Sequence, residues 1–116
     1  MTMTAGSRQR TWTAVCRYSE LTPGRGVAAL VDGVQIAVFR TTPGELYAIG
    51  NRDPYSGAYV ISRGVTGSRD GVPTVASPMY KQVFDLTTGR CLDDPAVAVP
   101  TYDVRVSGSR VEVAAT

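Results

Sequence analysis

The sequence predicts an all-β domain. Three observations point there. Short apolar runs recur along the whole chain, and several alternate apolar with polar residues, the period of a half-buried strand. The 12 glycines and 7 prolines fall between these runs and punctuate them. No stretch carries the three-and-four spacing of an amphipathic helix. With 116 residues the chain is long enough for one domain and too short for two. At this size roughly two-thirds of the unfolded surface is buried on folding, so neither disulfides nor a structural metal is required.

In chain order, residues 1–10 are small and polar and are expected to form a flexible tail, with the domain spanning 11–116. Trp12 to Arg17 reads as a first strand, with Trp12, Ala14 and Cys16 on one face. Leu21-Thr22-Pro23-Gly24 is a turn. Gly26 to Val31 and Val34 to Arg40 are strands joined by Asp32-Gly33, a two-residue hairpin signal that favours positive φ. Thr42-Pro43-Gly44 turns the chain into a strand from Leu46 to Ile49. From Gly50 to Gly71 regular alternation fails, and an irregular stretch of that length inside a small domain is usually functional. Thr74 to Ser77 and Val83 to Leu86 are strands on either side of a tip at Pro78 to Lys81. Tyr102 to Val106 and Arg110 to Val113 close the domain as a hairpin around Ser107-Gly108-Ser109.

Composition excludes several functions. The net charge is +2, and the basic residues are scattered arginines with Lys81 as the only lysine, so no basic stripe marks a nucleic-acid binder. No apolar segment suits a signal peptide or approaches the ~20 residues of a membrane span, and the expected location is the cytoplasm. Cys16 and Cys91 are then reduced, and each reads as a small core residue. Histidine is absent, which removes the usual general base and the commonest transition-metal ligand. Asp93-Asp94-Pro95 reads as a turn rather than as paired catalytic carboxylates. Gly24-Arg25-Gly26-Val27-Ala28-Ala29 matches a dinucleotide-loop pattern. That mechanism needs a strand before and a helix after, and here a β run follows.

Two segments carry specific information. The first runs from Tyr47 through Asp53-Pro54-Tyr55-Ser56-Gly57-Ala58, the second from Val75 through Ser77-Pro78-Met79-Tyr80-Lys81 to Phe84-Asp85-Leu86 and Gly89. Their frame resembles the Rieske domain, whose two cluster loops read Cys-x-His-x-Gly-Ala and Cys-Pro-x-His-Gly-x-x-Phe-Asp-Leu-x-x-Gly. Gly57-Ala58, Pro78, Phe84-Asp85-Leu86 and Gly89 fall in register, and the resemblance extends from Trp12 to Val113. Every ligand position is changed: Asp53 and Tyr55 in the first loop, Ser77 and Tyr80 in the second. A Rieske centre takes two thiolates and two imidazoles, so the resemblance, together with the strand rhythm, implies the Rieske-like scaffold, an antiparallel β sandwich or partly closed barrel, without the [2Fe–2S] cluster. Asp and Tyr oxygens could instead hold a ferric ion. The plainer expectation has Tyr55 and Tyr80 filling the emptied space and Asp53 and Ser77 bonded to loop backbone.

Further residues are similar to the small subunit of assimilatory NAD(P)H-dependent nitrite reductase: Leu21-x-Pro23-Gly24, Ile36 to Phe39, Asn51-x-Asp53-Pro54-Tyr55-Ser56, Ser62-Arg63-Gly64 and Ala76 to Gln82. That resemblance implies a subunit with no catalytic, cofactor-binding or metal residues of its own. It would dock on a large subunit holding FAD, sirohaem and a [4Fe–4S] cluster, where nitrite is reduced to ammonium. Pro54, Tyr55, Pro78, Met79, Tyr80 and Lys81 form the candidate docking tip, since aromatic and Met residues suit an interface core. The alternative is a stand-alone β module that binds a metabolite or an unrelated protein.

Overall fold

The computed structural model describes residues 11–41 and 44–115. The tail expected over residues 1–10, and Thr42 and Pro43 of the expected turn, lie outside the described residues. The described chain forms strands β1 (Thr13–Arg17), β2 (Gly26–Val31), β3 (Val34–Arg40), β4 (Leu46–Gly50), β5 (Val65–Arg69), β6 (Val72–Ala76), β7 (Val83–Asp85), β8 (Thr101–Ser107) and β9 (Arg110–Ala114). Short 3-10 turns at Tyr18–Glu20 and Ile61–Arg63 complete it. All pairings are antiparallel. One sheet has the order β1-β9-β8-β4-β3-β2, and its edge strands β1 and β2 approach each other, so that it curls nearly into a barrel. The second, smaller sheet has the order β5-β6-β7.

The apolar run in β3 explains how the two layers join. Successive side chains of a strand point to opposite faces. Ala37 and Phe39 enter one core with Ile49, Ile61, Val75, Phe84, Leu86, Cys91 and Val99, built between the sheets. Ile36 and Val38 enter the other with Leu21, Val31, Ala48, Val111 and Val113, inside the curled sheet. A strand buried on both faces needs an unbroken apolar sequence rather than alternation. β8, by contrast, alternates: Tyr102 and Val104 pack on the second core while Asp103 and Arg105 face out.

The hairpin at Asp32-Gly33 forms as expected, with φ of 50° and 80° at its two residues. The segment Gly24 to Ala29 is turn and strand, with no helix to receive a dinucleotide. Two details depart from the sequence reading. The irregular stretch contains β5, paired with β6 through a second left-handed turn at Asp70 and Gly71, φ 53° and 80°. β5 has no apolar face, because all but Thr66 of its residues are exposed, so periodicity could not reveal it. In β1 a bulge shifts the register between Ala14 and Cys16. An extra residue there breaks the two-residue period: Ala14 is exposed, while Val15 and Cys16 both pack on the second core. Thr13 pairs with Val113, which places the start and finish of the strand framework side by side.

Gly26 marks the closest approach between β2 and the 3-10 turn before β5. A Cβ there would lie 2.5 Å from the Phe39 ring and 2.7 Å from the Ser62 carbonyl oxygen. Neither can yield, since Phe39 is fully buried and the oxygen is backbone. Gly26→Ala is therefore expected to destabilise the fold by about 2–3 kcal/mol, the cost of overpacking. Denaturant unfolding measures it. A loss under about 0.5 kcal/mol, typical of a free surface position, would mean the approach is looser than described.

Candidate functional site

Asn51, directly after β4, sets the path of the first loop. It is buried, its Oδ1 accepts the Ser62 amide (2.7 Å) and its Nδ2 donates to the Tyr59 carbonyl (3.3 Å) and the Gln35 side chain (3.4 Å). A buried amide with its bonds made fixes both ends of the loop to β3 and β4. Inside it, the Asp53 N–H donates to the Ala58 carbonyl (2.8 Å), and the Gly57 N–H donates back to the Asp53 carbonyl (2.7 Å). The second loop repeats this turn. The Ser77 N–H donates to the Gln82 carbonyl (2.9 Å) and the Lys81 N–H to the Ser77 carbonyl (3.0 Å). Each turn closes on a left-handed residue, Gly57 at φ 77° and Lys81 at φ 65°. Lys81 stands where the Rieske frame has glycine, at a cost of about 1–2 kcal/mol for a residue with a Cβ.

The two turns are joined through their first side chains. Asp53 and Ser77 are both buried, and the Ser77 hydroxyl donates to Asp53 Oδ2 at 2.5 Å. Asp53 Oδ1 accepts the Tyr55 N–H (2.8 Å), and Ser77 Oγ accepts the Met79 N–H (3.3 Å). The two positions that would carry thiolates in a cluster site are thus in direct contact, and their polar atoms are taken. Backbone bonding of both was expected; the bond between them was not.

The tyrosines do not fill a void. Tyr80 is 60% exposed and Tyr55 36% exposed, which corrects the expectation that both rings pack into the space left by the ligands. Tyr55 lies across a third segment. Its hydroxyl donates to the sulfur of buried Cys91 (3.6 Å) and to Asp94 Oδ2 (3.5 Å). The bond to the sulfur, first, then loss of solvent and the neighbouring Asp94 charge push the phenol well above its ordinary value near 10. Asp94 serves the turn, as expected, its Oδ1 accepting the Ala96 amide (3.2 Å), whereas Asp93 ties the segment to β7, its Oδ2 accepting the Val83 amide (2.9 Å). No sequence signal brought this third segment to the site. Cys16 is half-buried, and burial, then Glu20, raises its thiol.

Of the six docking candidates, Pro54 is half-buried, while Tyr55, Pro78, Met79 (48% exposed), Tyr80 and Lys81 are exposed. The Ser77–Asp53 bond brings their loops side by side. The same donor set does not fit a [2Fe–2S] cluster. It offers oxygen in place of thiolate and imidazole, and a 2.5 Å bond leaves no gap between Asp53 and Ser77 for an iron. Nor does it fit a ferric ion held by all four substitutes, because Tyr80 stands in solvent. Among the described residues no three of His, Cys, Asp and Glu converge as a metal site.

The fold and the two loops are those of a Rieske-like [2Fe–2S] domain, a family whose model matches residues 11–114, and the chain belongs to it. Within it, the chain is a member of the nitrite reductase small-subunit family. It is 40% identical over 103 residues to the nitrite reductase (NADH) small subunit of Salmonella typhimurium, covering 88% of this chain and 95% of that one. A structure described as an NADH-dependent nitrite reductase small subunit from Mycobacterium tuberculosis superposes with a TM-score of 0.90 at 50% identity, over 93% of this chain and 97% of that one. In Klebsiella oxytoca, 104 residues that are 38% identical form part of a nitrite reductase [NAD(P)H] large subunit, covering 90% of this chain and 11% of that one.

Two measurements test the site. Ser77→Ala leaves a buried carboxylate oxygen without its donor and is expected to cost about 2 kcal/mol. Asp53→Ala should cost more, and the double variant less than the sum, as for any pair in contact. Strict additivity in denaturant unfolding would deny the bond. For Tyr55, a folded value above the unfolded one means that its contribution to stability is complete below about pH 10. It declines as pH rises from there toward the folded value. Tyr55→Phe should therefore flatten the fall of unfolding free energy with pH between about pH 10 and 12. An unchanged slope would place the phenol free in solvent.

Proposed function

We propose that this chain is the non-catalytic small subunit of a cytoplasmic NAD(P)H-dependent nitrite reductase serving nitrate assimilation. It docks on a large subunit that holds FAD, sirohaem and a [4Fe–4S] cluster, and nitrite is reduced to ammonium on that partner. The chain carries no [2Fe–2S] cluster of its own. One observation carries this reading: the positions that hold a cluster in the Rieske frame are bonded to each other as Ser77 and Asp53, while the residues around them stay exposed and apolar. An electron carrier needs the first to be a metal site. A docking surface needs only the second, because a contiguous exposed apolar patch marks an interaction site. The relatedness to small subunits at high coverage supports the partner. Among the described residues no helix is long and apolar enough to cross a membrane.

The test uses chain co-expressed with the large subunit of its own organism. The separated small subunit should be colourless, without stoichiometric iron or labile sulfide, and both at stoichiometric levels would overturn the cluster-free reading. Tyr80→Ala is expected to cost roughly 2 kcal/mol of association, a hot-spot value. Its exposed ring leaves the fold intact, which a melting curve verifies. Lys81→Glu should act on association rate and salt dependence, because a rim charge steers more than it holds. Wild-type affinity in both variants would move the docking surface away from these loops.

A further inference from the structure

A groove runs from the tip loops along the end of the β2–β3 hairpin, with a volume near 440 Å³. Leu30, Val34 and Tyr59 stand along it, 69%, 37% and 53% exposed, and Pro100 and Tyr102 complete its apolar wall. A single exposed Leu needs no explanation, but three large apolar side chains around one depression are the mark of a covered surface. Leu30 is also the penultimate residue of β2, an edge strand of the larger sheet. Edges are commonly blunted by charge, and here an apolar side chain is held out instead.

Arg52 is the one charged residue in the lining. It is exposed, and no carboxylate pairs with it among the described residues. Pro54, in the first tip turn, lines the groove as well, so the depression and the tip form one continuous face.

We infer that this groove receives a segment of the large subunit that presents an apolar side chain beside an Asp or Glu, the apolar group seated against Leu30, Val34 and Tyr59 and the carboxylate on Arg52. The inference rests on the reading of this chain as a docking subunit and adds a second, separable contact to it. The apolar walls supply desolvated area, and a guanidinium at their rim selects an acidic partner and steers its approach.

The experiment measures affinity of the full-length chain for the large subunit of the same organism, with Leu30→Asp, Tyr59→Ser, Arg52→Glu and the tip variant Tyr80→Ala in parallel. Each groove variant is expected to weaken binding at least tenfold, and Arg52→Glu should also flatten the dependence of affinity on salt. Melting temperatures identify variants that fail to fold; if Leu30→Asp does so, Arg52→Glu, an exchange at an exposed position, decides. Wild-type affinity in the groove variants together with a loss in Tyr80→Ala overturns the groove and leaves tip docking standing. A wild-type chain that forms no complex overturns the docking reading itself, and the groove with it. A wild-type dimer in light scattering that Leu30→Asp returns to monomer assigns the groove to a second copy of this chain and likewise overturns the inference.

Discussion

The hydrogen bond from Ser77 to Asp53 is the contact on which the pairing of the two loops depends. The first loop follows β4 of the larger sheet and the second follows β6 of the smaller one, so this bond ties side chains of two layers together at their ends. Both groups are buried. In such surroundings a hydrogen bond to a carboxylate is electrostatically stronger than in water, and losing it is correspondingly costly. A metal centre would hold the loops through coordination. Here the same junction is made by two small polar side chains that satisfy each other and the backbone amides of Tyr55 and Met79.

The backbone of the loops is set independently of what occupies them. Asp53 to Ala58, Ser77 to Gln82 and Asp85 to Arg90 make the same pair of backbone hydrogen bonds, and each reaches a left-handed residue at its fifth position, Gly57, Lys81 and Gly89. A turn closed by its own main chain keeps its shape when a ligand side chain is exchanged. The scaffold therefore tolerates the loss of all four cluster ligands, and fold alone says little about redox chemistry. What chemistry such a frame can carry is decided by the side chains at the junction.

How much was legible in the sequence follows the same division. β2, β3 and their Asp32-Gly33 turn could be read to the residue, because turn chemistry and apolar runs are local signals. β5 could not: Gly64, Gly67 and Ser68 look like loop, and its strand geometry comes from pairing with β6 across Asp70-Gly71. That dipeptide was the available signal. The motif frame placed the two loops next to each other, and the core position of Cys91 was read correctly. What the frame could not give was side-chain direction. Tyr80 turns to solvent, while Tyr55 reaches a sulfur and a carboxylate from a segment remote in sequence. Such contacts depend on three loops converging, and no local pattern encodes that.

The pairing of Thr13 with Val113 has a consequence for how such a unit is built into larger proteins. Entry to and exit from the framework are adjacent on neighbouring strands, β1 and β9, and neither strand contributes a residue to the joined loops. A domain whose ends meet can be spliced into a longer polypeptide through two short linkers, without threading and without disturbing its own strands. Covalent attachment and free association are then two ways of keeping such a unit near another domain, and a tether raises its effective concentration to the millimolar range.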